Sequence, residues 1–262
     1  MINLKQKALI VKDLRFIKST KGNLTAIIIV SLMFSVVIPS IFIVAMYLSP
    51  DDLGDFEFFL GLLGDITPEE ATLAVLSLML NNIAPMMFLM IPVIATTTMA
   101  TTSFVGEKEK RTLETLLYSP LSLSQIFSSK VLASFFMSVI VTILTFILYF
   151  AVSQSLLHFL FGQLMLPGIN WYLTVFVVAP ALSLLAVTIT VKISAKAQTM
   201  EEAFQKAGLL TIPVIIFAGS QFTGLMMLSA WLLLAVAAVI GIIVFILMKS
   251  ALRNFNYEML LK

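Results

Sequence analysis

The chain has 262 residues, of which 60% are hydrophobic and 11% charged, and its mean hydropathy is +1.07. One soluble domain cannot hide that much apolar surface, so lipid is the solvent for most of it. With no cysteine and one histidine, His158, the sequence offers no disulfide framework, thiol nucleophile or thiolate metal site, and its net charge of +2 matters less than where the charges sit.

Residues 1–22 read as an interfacial helix. Leu4, Ala8, Val11, Leu14 and Ile17 recur at three- and four-residue steps among Lys5, Lys7, Lys12, Arg15, Lys18 and Lys21, the pattern of an amphipathic helix lying apolar side down on the inner leaflet. No small-residue cleavage site closes the apolar run that follows, so this run is expected to stay as a span.

A helix needs about 20 mostly apolar residues to cross the hydrocarbon layer. By that measure spans are expected at 24–48, 83–105, 131–157, 171–191, 207–222 and 225–248, with 71–80 as an outer interfacial piece. Pro85 and Pro92 predict kinks in the second span. Trp171 and Tyr172 stand where an interfacial aromatic belt would place them. The turn-like GSQFTG at 219–224 divides the last 42-residue uncharged run into a hairpin, with a re-entrant pair as the competing parse. No fixed-period repeat is evident.

The basic residues decide the orientation. Six precede the first span. Lys108, Lys110, Arg111 and Lys130 follow the second, Lys192, Lys196 and Lys206 follow the fourth, and Lys249, Arg253 and Lys262 follow the sixth; together these are all 16. The opposite side carries Asp51, Asp52, Asp55, Glu57, Asp65, Glu69 and Glu70, half of the 14 acids. The expected fold is therefore an all-α polytopic integral membrane protein with six transmembrane helices and both termini cytoplasmic.

Between the second and third spans, residues 106–125 form the densest charged stretch in the middle of the chain. Glu107 with Arg111 and Lys110 with Glu114 are spaced i, i+4, and Leu113, Leu116 and Leu117 make a narrow apolar edge, which predicts a short amphipathic helix ending near Pro120. Ser124 is a candidate cap for the next helix. Such a helix suits either a solvated connection or a groove on a cytoplasmic partner.

The run EKEKRTLETLLYSP resembles the signature of the ATP-binding-cassette (ABC) type-2 permease family, matching it at Glu107, Glu109, Thr112, Leu113, Glu114, Leu116, Leu117 and Pro120 and departing from it at Arg111, where the family often has glycine. The layout is also similar: a basic lead-in helix, six spans and an outer loop after the first. The resemblance implies a single-domain permease subunit of an ABC exporter in the cell membrane of a prokaryote. Such a subunit pairs with a second permease chain, identical or different, and docks on ABC ATPase subunits through the coupling helix that starts at Glu107. ATP and Mg would be bound by that partner, with no cofactor held by this chain, and no nucleic acid partner is implied. In keeping with this, the one G-x-x-x-x-G spacing, Gly219 to Gly224, is followed by Leu225 and Met226, so it is no phosphate-binding loop.

Two rival classes fit the sequence less well. An intramembrane protease would use Glu201 and Glu202, but it needs histidines near them, and His158 falls toward the opposite face. A secondary transporter usually carries ionisable groups within its spans, and the expected spans contain none. The hydroxyl-rich stretch of the second span, with Thr97 and Thr101, and the outer pair Asn81 and Asn82 mark a possible substrate path; helix packing near Pro92 is the favoured account of the hydroxyls. A path without fixed charge suits a hydrophobic peptide, lipid-like molecule or drug.

Overall fold

The computed structural model describes residues 4–19, 21–49, 67–110, 112, 121–222 and 229–254, and every regular element among them is helical. Helix α1 is Leu4–Ser19. Helix α2 runs from Lys21–Leu32 through a π-helical turn at Met33–Val37 to Ile38–Leu48, and α3 covers Pro68–Glu109. Helices α4 (Leu123–Phe161), α5 (Ile169–Lys196), α6 (Met200–Ser220 and its last turn to Phe222) and α7 (Ala230–Asn254) complete the set. Helices α2 to α7 are long and apolar enough to cross a membrane.

The second span is longer than the apolar run predicts. Residues 71–80 are continuous with the rest of α3, because the helix starts at Pro68 under a complete capping box: Thr67 Oγ1 accepts from the Glu70 N–H, and Glu70 accepts from the Thr67 N–H. At the other end, residues 106–109 extend this same helix and do not begin a separate one. Ser122, not Ser124, caps α4, again through a reciprocal box with Gln125. That helix ends at Gly162, whose φ of 66° is the left-handed conformation a C-cap glycine supplies. Glu201 and Glu202, which the sequence places in a loop, lie in the first turn of α6 after the Thr199 cap, next to its partial positive charge. Starting at Met200 gives the short fifth span its length.

Three helices are irregular for one reason. In α2, α3 and α5 a π-helical turn (Met33–Val37, Met79–Ile83, Thr174–Val178) ends two residues before a proline, Pro39, Pro85 or Pro180. The widened turn relieves the clash between the proline ring and the carbonyl before it. In α3 the consequence is explicit. Leu80's carbonyl would be served by residue 84 in an α-helix or 85 in a π-turn, yet the Ala84 N–H bonds to Met79 and Pro85 has no N–H. Trp171 Nε1–H donates to that carbonyl at 2.8 Å and the Tyr149 hydroxyl at 3.3 Å. Trp171 is accordingly buried, against the interfacial placement expected for it. Its ring lies 4.3 Å from that of Tyr149 and 5.3 Å from that of Phe88, inside a core with Leu76, Ile91 and Leu157. Tyr172 remains exposed.

Helices α3 and α5 form the centre: half of α3's most apolar window and 56% of α5's are buried, against 17% for α7. From Ile91 to Glu107 nearly every α3 side chain is buried. A helix surrounded in this way has no polar face to show, and its run of Ala, Thr and Ser lets neighbouring backbones approach closely. Gly106 continues the pattern, since a Cβ there would meet Met200 Sδ of α6 at 3.3 Å.

Candidate functional site

The polar groups that this packing brings together lie at the basic end of the bundle, where α1, the last turns of α3 and the first turns of α4 meet. Helix α1 docks with Leu9, Ile10 and Asp13 inward; Ile10 packs on Met99 of α3 and Ala133 of α4, with Leu14 and Leu24 alongside. The face expected to be apolar and lipid-bound is a different one. Leu4, Ala8 and Val11 are exposed, and with Lys7, Lys12 and Arg15 they line a shallow trough along the helix. Ile17's side chain lies outside the described residues.

Lys130, expected at the edge of a cytoplasmic loop, is fully buried on the second turn of α4. Its ammonium donates to the Ser103 carbonyl at 2.7 Å and the Ser103 hydroxyl at 2.9 Å, stands 2.8 Å from Glu107 Oε2 and 3.7 Å from Asp13 Oδ2, and lies over the Phe104 ring. The contact to Glu107 Oε2 is an ion pair with poor hydrogen-bond direction. Glu107 Oε1 accepts from Lys12 at 2.6 Å, and Asp13 Oδ2 accepts from the Ser103 hydroxyl at 2.8 Å. Two carboxylates and two ammonium groups thus close a neutral quartet, of which only Lys12 reaches solvent. Burial, reinforced by the neighbouring Glu107 charge, raises the Asp13 carboxyl above its ordinary value; Lys130, the Ser103 hydrogen bond and Lys12 oppose that shift without cancelling it.

Weaker ties flank the quartet. Asn23 of α2 donates to Thr102 at 2.6 Å. Lys108 reaches the Ala197 carbonyl at 3.3 Å, and Glu109 accepts from the Met200 N–H at 2.7 Å, joining the end of α3 to α6.

Of the residues assigned to ATPase coupling, Glu107 is buried in the quartet, Glu109 holds the α6 N-terminus, and the Thr112 N–H turns back to the Glu107 carbonyl at 3.0 Å. Arg111, Leu113, Glu114, Leu116 and Leu117 lie outside the described residues. Of the suggested path residues, Asn81 accepts from the Gly168 N–H at 2.8 Å and Asn82 accepts from Asn170 at 3.5 Å, so both fasten the α4–α5 connection. Thr97 donates to the Val93 carbonyl of its own helix, whereas the buried hydroxyls of Thr96 and Thr101 have no hydrogen-bond partner among the described residues. His158 is exposed near the far end of α4, away from Glu201. Among the described residues no group of His, Cys, Asp and Glu is placed to hold a metal ion.

Reading from sequence missed the quartet, although one signal was present: Asp13 is the lone acid among the basic residues of the first helix, and it follows Leu9 and Ile10 at the spacing that shares their face.

Six lipid-length helices with a packed, hydroxyl-rich centre, and with the buried charges gathered at one end, define a multi-pass membrane protein. Residues 65–248 match the family described as ABC-2 family transporter protein, and the chain belongs to that family. It is thus a membrane permease component of an ABC transporter, a multi-pass cell-membrane protein of a family whose ATPase activity lies in a separate subunit. No curated protein matches it. Glu107 and Lys130 fall inside the matched region, and Lys12 and Asp13 precede it.

Proposed function

We propose that the chain is the permease subunit of an exporter. It pairs with a second permease chain and is driven by ABC ATPase subunits, which bind ATP and Mg and dock on the segment between α3 and α4. Both termini are cytoplasmic, so the basic end faces the ATPases. The observation that carries this reading is the family match over a region whose TLETLL segment leaves α3 at the basic end, directly after the anchored Glu107. A segment rooted in a buried ion pair is a firm place on which to push.

The quartet also bears on the rival reading as an ion-coupled carrier. It supplies buried ionisable groups that the expected spans lacked, yet its charges neutralise one another at one end of the bundle. Among the described residues, the buried charged side chains are Asp13, Glu107 and Lys130, so the middle of the bundle offers a passing molecule no fixed charge. That favours a hydrophobic or amphiphilic substrate: a peptide, a lipid-like molecule or a drug. Asn81, Asn82, Thr97 and Thr101 remain the proposed path; the Thr101 hydroxyl, buried and without a hydrogen-bond partner among the described residues, would meet a polar atom of the substrate only when the helices part. Helix α1 rests its exposed Leu4, Ala8 and Val11 on the inner leaflet, with Lys7 and Arg15 toward acidic headgroups.

The test is affinity purification of the tagged chain in mild detergent. An ABC ATPase is expected at a ratio near one to one, with ATPase activity in the complex; repeated recovery of an intact chain without an ATPase overturns the reading. Leu113→Asp or Leu117→Asp should leave insertion intact while uncoupling ATP hydrolysis from uptake of a hydrophobic dye into inverted vesicles. Normal uptake in both variants would show that the docking segment is wrongly assigned.

A further inference from the structure

The quartet joins three elements that are separate in the chain: α1, the end of α3 and the start of α4. Lys130 is its hub, because its ammonium alone contacts Ser103, Glu107 and Asp13 together. Apolar helix contacts tolerate sliding, since one methyl group can replace another. A buried ion network does not, because drawing Glu107 away from Lys130 would leave an uncompensated charge out of water. Glu107 also accepts the Thr112 N–H on its carbonyl, so the same residue sits in the last turn of α3, ties back the start of the following segment and grips the hub. Between α3 and α6 the contact is mainly apolar, Val105 against Ala203 and Met200, with single exposed or half-buried hydrogen bonds from Glu109 to Met200 and from Lys108 to Ala197 just before α6.

We propose that Lys130 is a positioning residue that carries displacement of the segment after α3 into α1 and α4, so that the three helix ends move as one body when the ATPases close. The inference rests on the reading of that segment as the docking site. It assigns α1 an active part in the cycle, as an arm driven from the docking segment.

The native chain has no cysteine, so single reporters are simple to place. A fluorophore is attached at Lys110→Cys, next to the docking segment, or at Val11→Cys, on the exposed face of α1, and each labelled chain is reconstituted with the ATPase subunits in vesicles. ATP with vanadate is expected to change both signals in the otherwise native complex. In the triple variant Asp13→Asn, Glu107→Gln, Lys130→Met, shape is kept and no unpaired charge is buried. There the Lys110→Cys signal should persist while the Val11→Cys signal falls at least about fivefold, as loss of coupling between two sites requires.

Equal responses at both positions in the triple variant would overturn the proposal and leave Lys130 a purely structural residue. Should that variant fail to assemble, Ser103→Ala is the smaller perturbation: it removes the hydroxyl bridging Asp13 and Lys130. A weakened α1 signal with normal assembly supports the link, and an unchanged one refutes it. A native complex that retains no ATPase, or whose Lys110→Cys signal ignores nucleotide, refutes the underlying docking assignment instead.

Discussion

Trp171 shows how one backbone defect can decide a side chain's place. Its sequence position beside Tyr172 at a span end resembles a membrane-interface anchor, and Tyr172 is exposed as an anchor would be. Pro85, far away in sequence, leaves Leu80's carbonyl without a helical donor, and the indole N–H is the nearer of the two side-chain donors that satisfy it. Trp171→Phe should therefore destabilise the protein in detergent by about 2 kcal/mol, within the range for leaving a buried acceptor short of a donor, whereas Tyr172→Phe should be close to neutral in the same thermal unfolding assay. In a Pro85→Ala background, where a backbone N–H returns near that carbonyl, the Trp171→Phe penalty should shrink. An equal penalty in both backgrounds would mean that ring packing alone holds Trp171.

At the scale of elements, local signals place helix ends well when they are complete. Thr67, Pro68 and Glu70 spell an N-cap, a first-turn proline and a capping-box acid, and Ser122 with Gln125 spells the same box for α4. Ser122→Ala is expected to cost about 1 kcal/mol, the usual value of an N-cap side chain, and to increase amide exchange over the first turn of α4; unchanged exchange there would show that the neighbours of α4 alone fix its start. Helix α1 is the opposite case. Its periodicity was legible, but two faces compete: Leu4, Ala8 and Val11 against Leu9, Ile10 and Asp13. Hydrophobic spacing reads the first as the lipid-facing side and passes over the second because Asp13 counts against it. The bundle docks the second, where Lys130 receives the carboxylate, and leaves Leu4, Ala8 and Val11 exposed.

For the whole molecule, positive charge confined to one set of connections implies a single orientation. Single cysteines added to the cysteine-free chain test it directly: Leu166→Cys, exposed in the α4–α5 connection, should react with a membrane-impermeant maleimide in intact cells. Lys206→Cys, on the first turns of α6, should react only after permeabilisation. The reverse pattern would invert the proposed topology and remove the docking segment from the ATPases.

The linear sequence by itself determined the membrane class, the number of spans and the resemblance to type-2 permeases, because hydropathy, charge and a short contiguous motif are summed along the chain and need no neighbours. The tertiary structure alone decided that 106–109 belong to α3, that Trp171 is buried and that Lys130 is sealed among Asp13, Ser103 and Glu107. Each of these depends on a partner more than 20 residues away or on a backbone bond lost at a proline. Burial of a charge is settled by what stands opposite it in space, and that information exists only once the helices have packed.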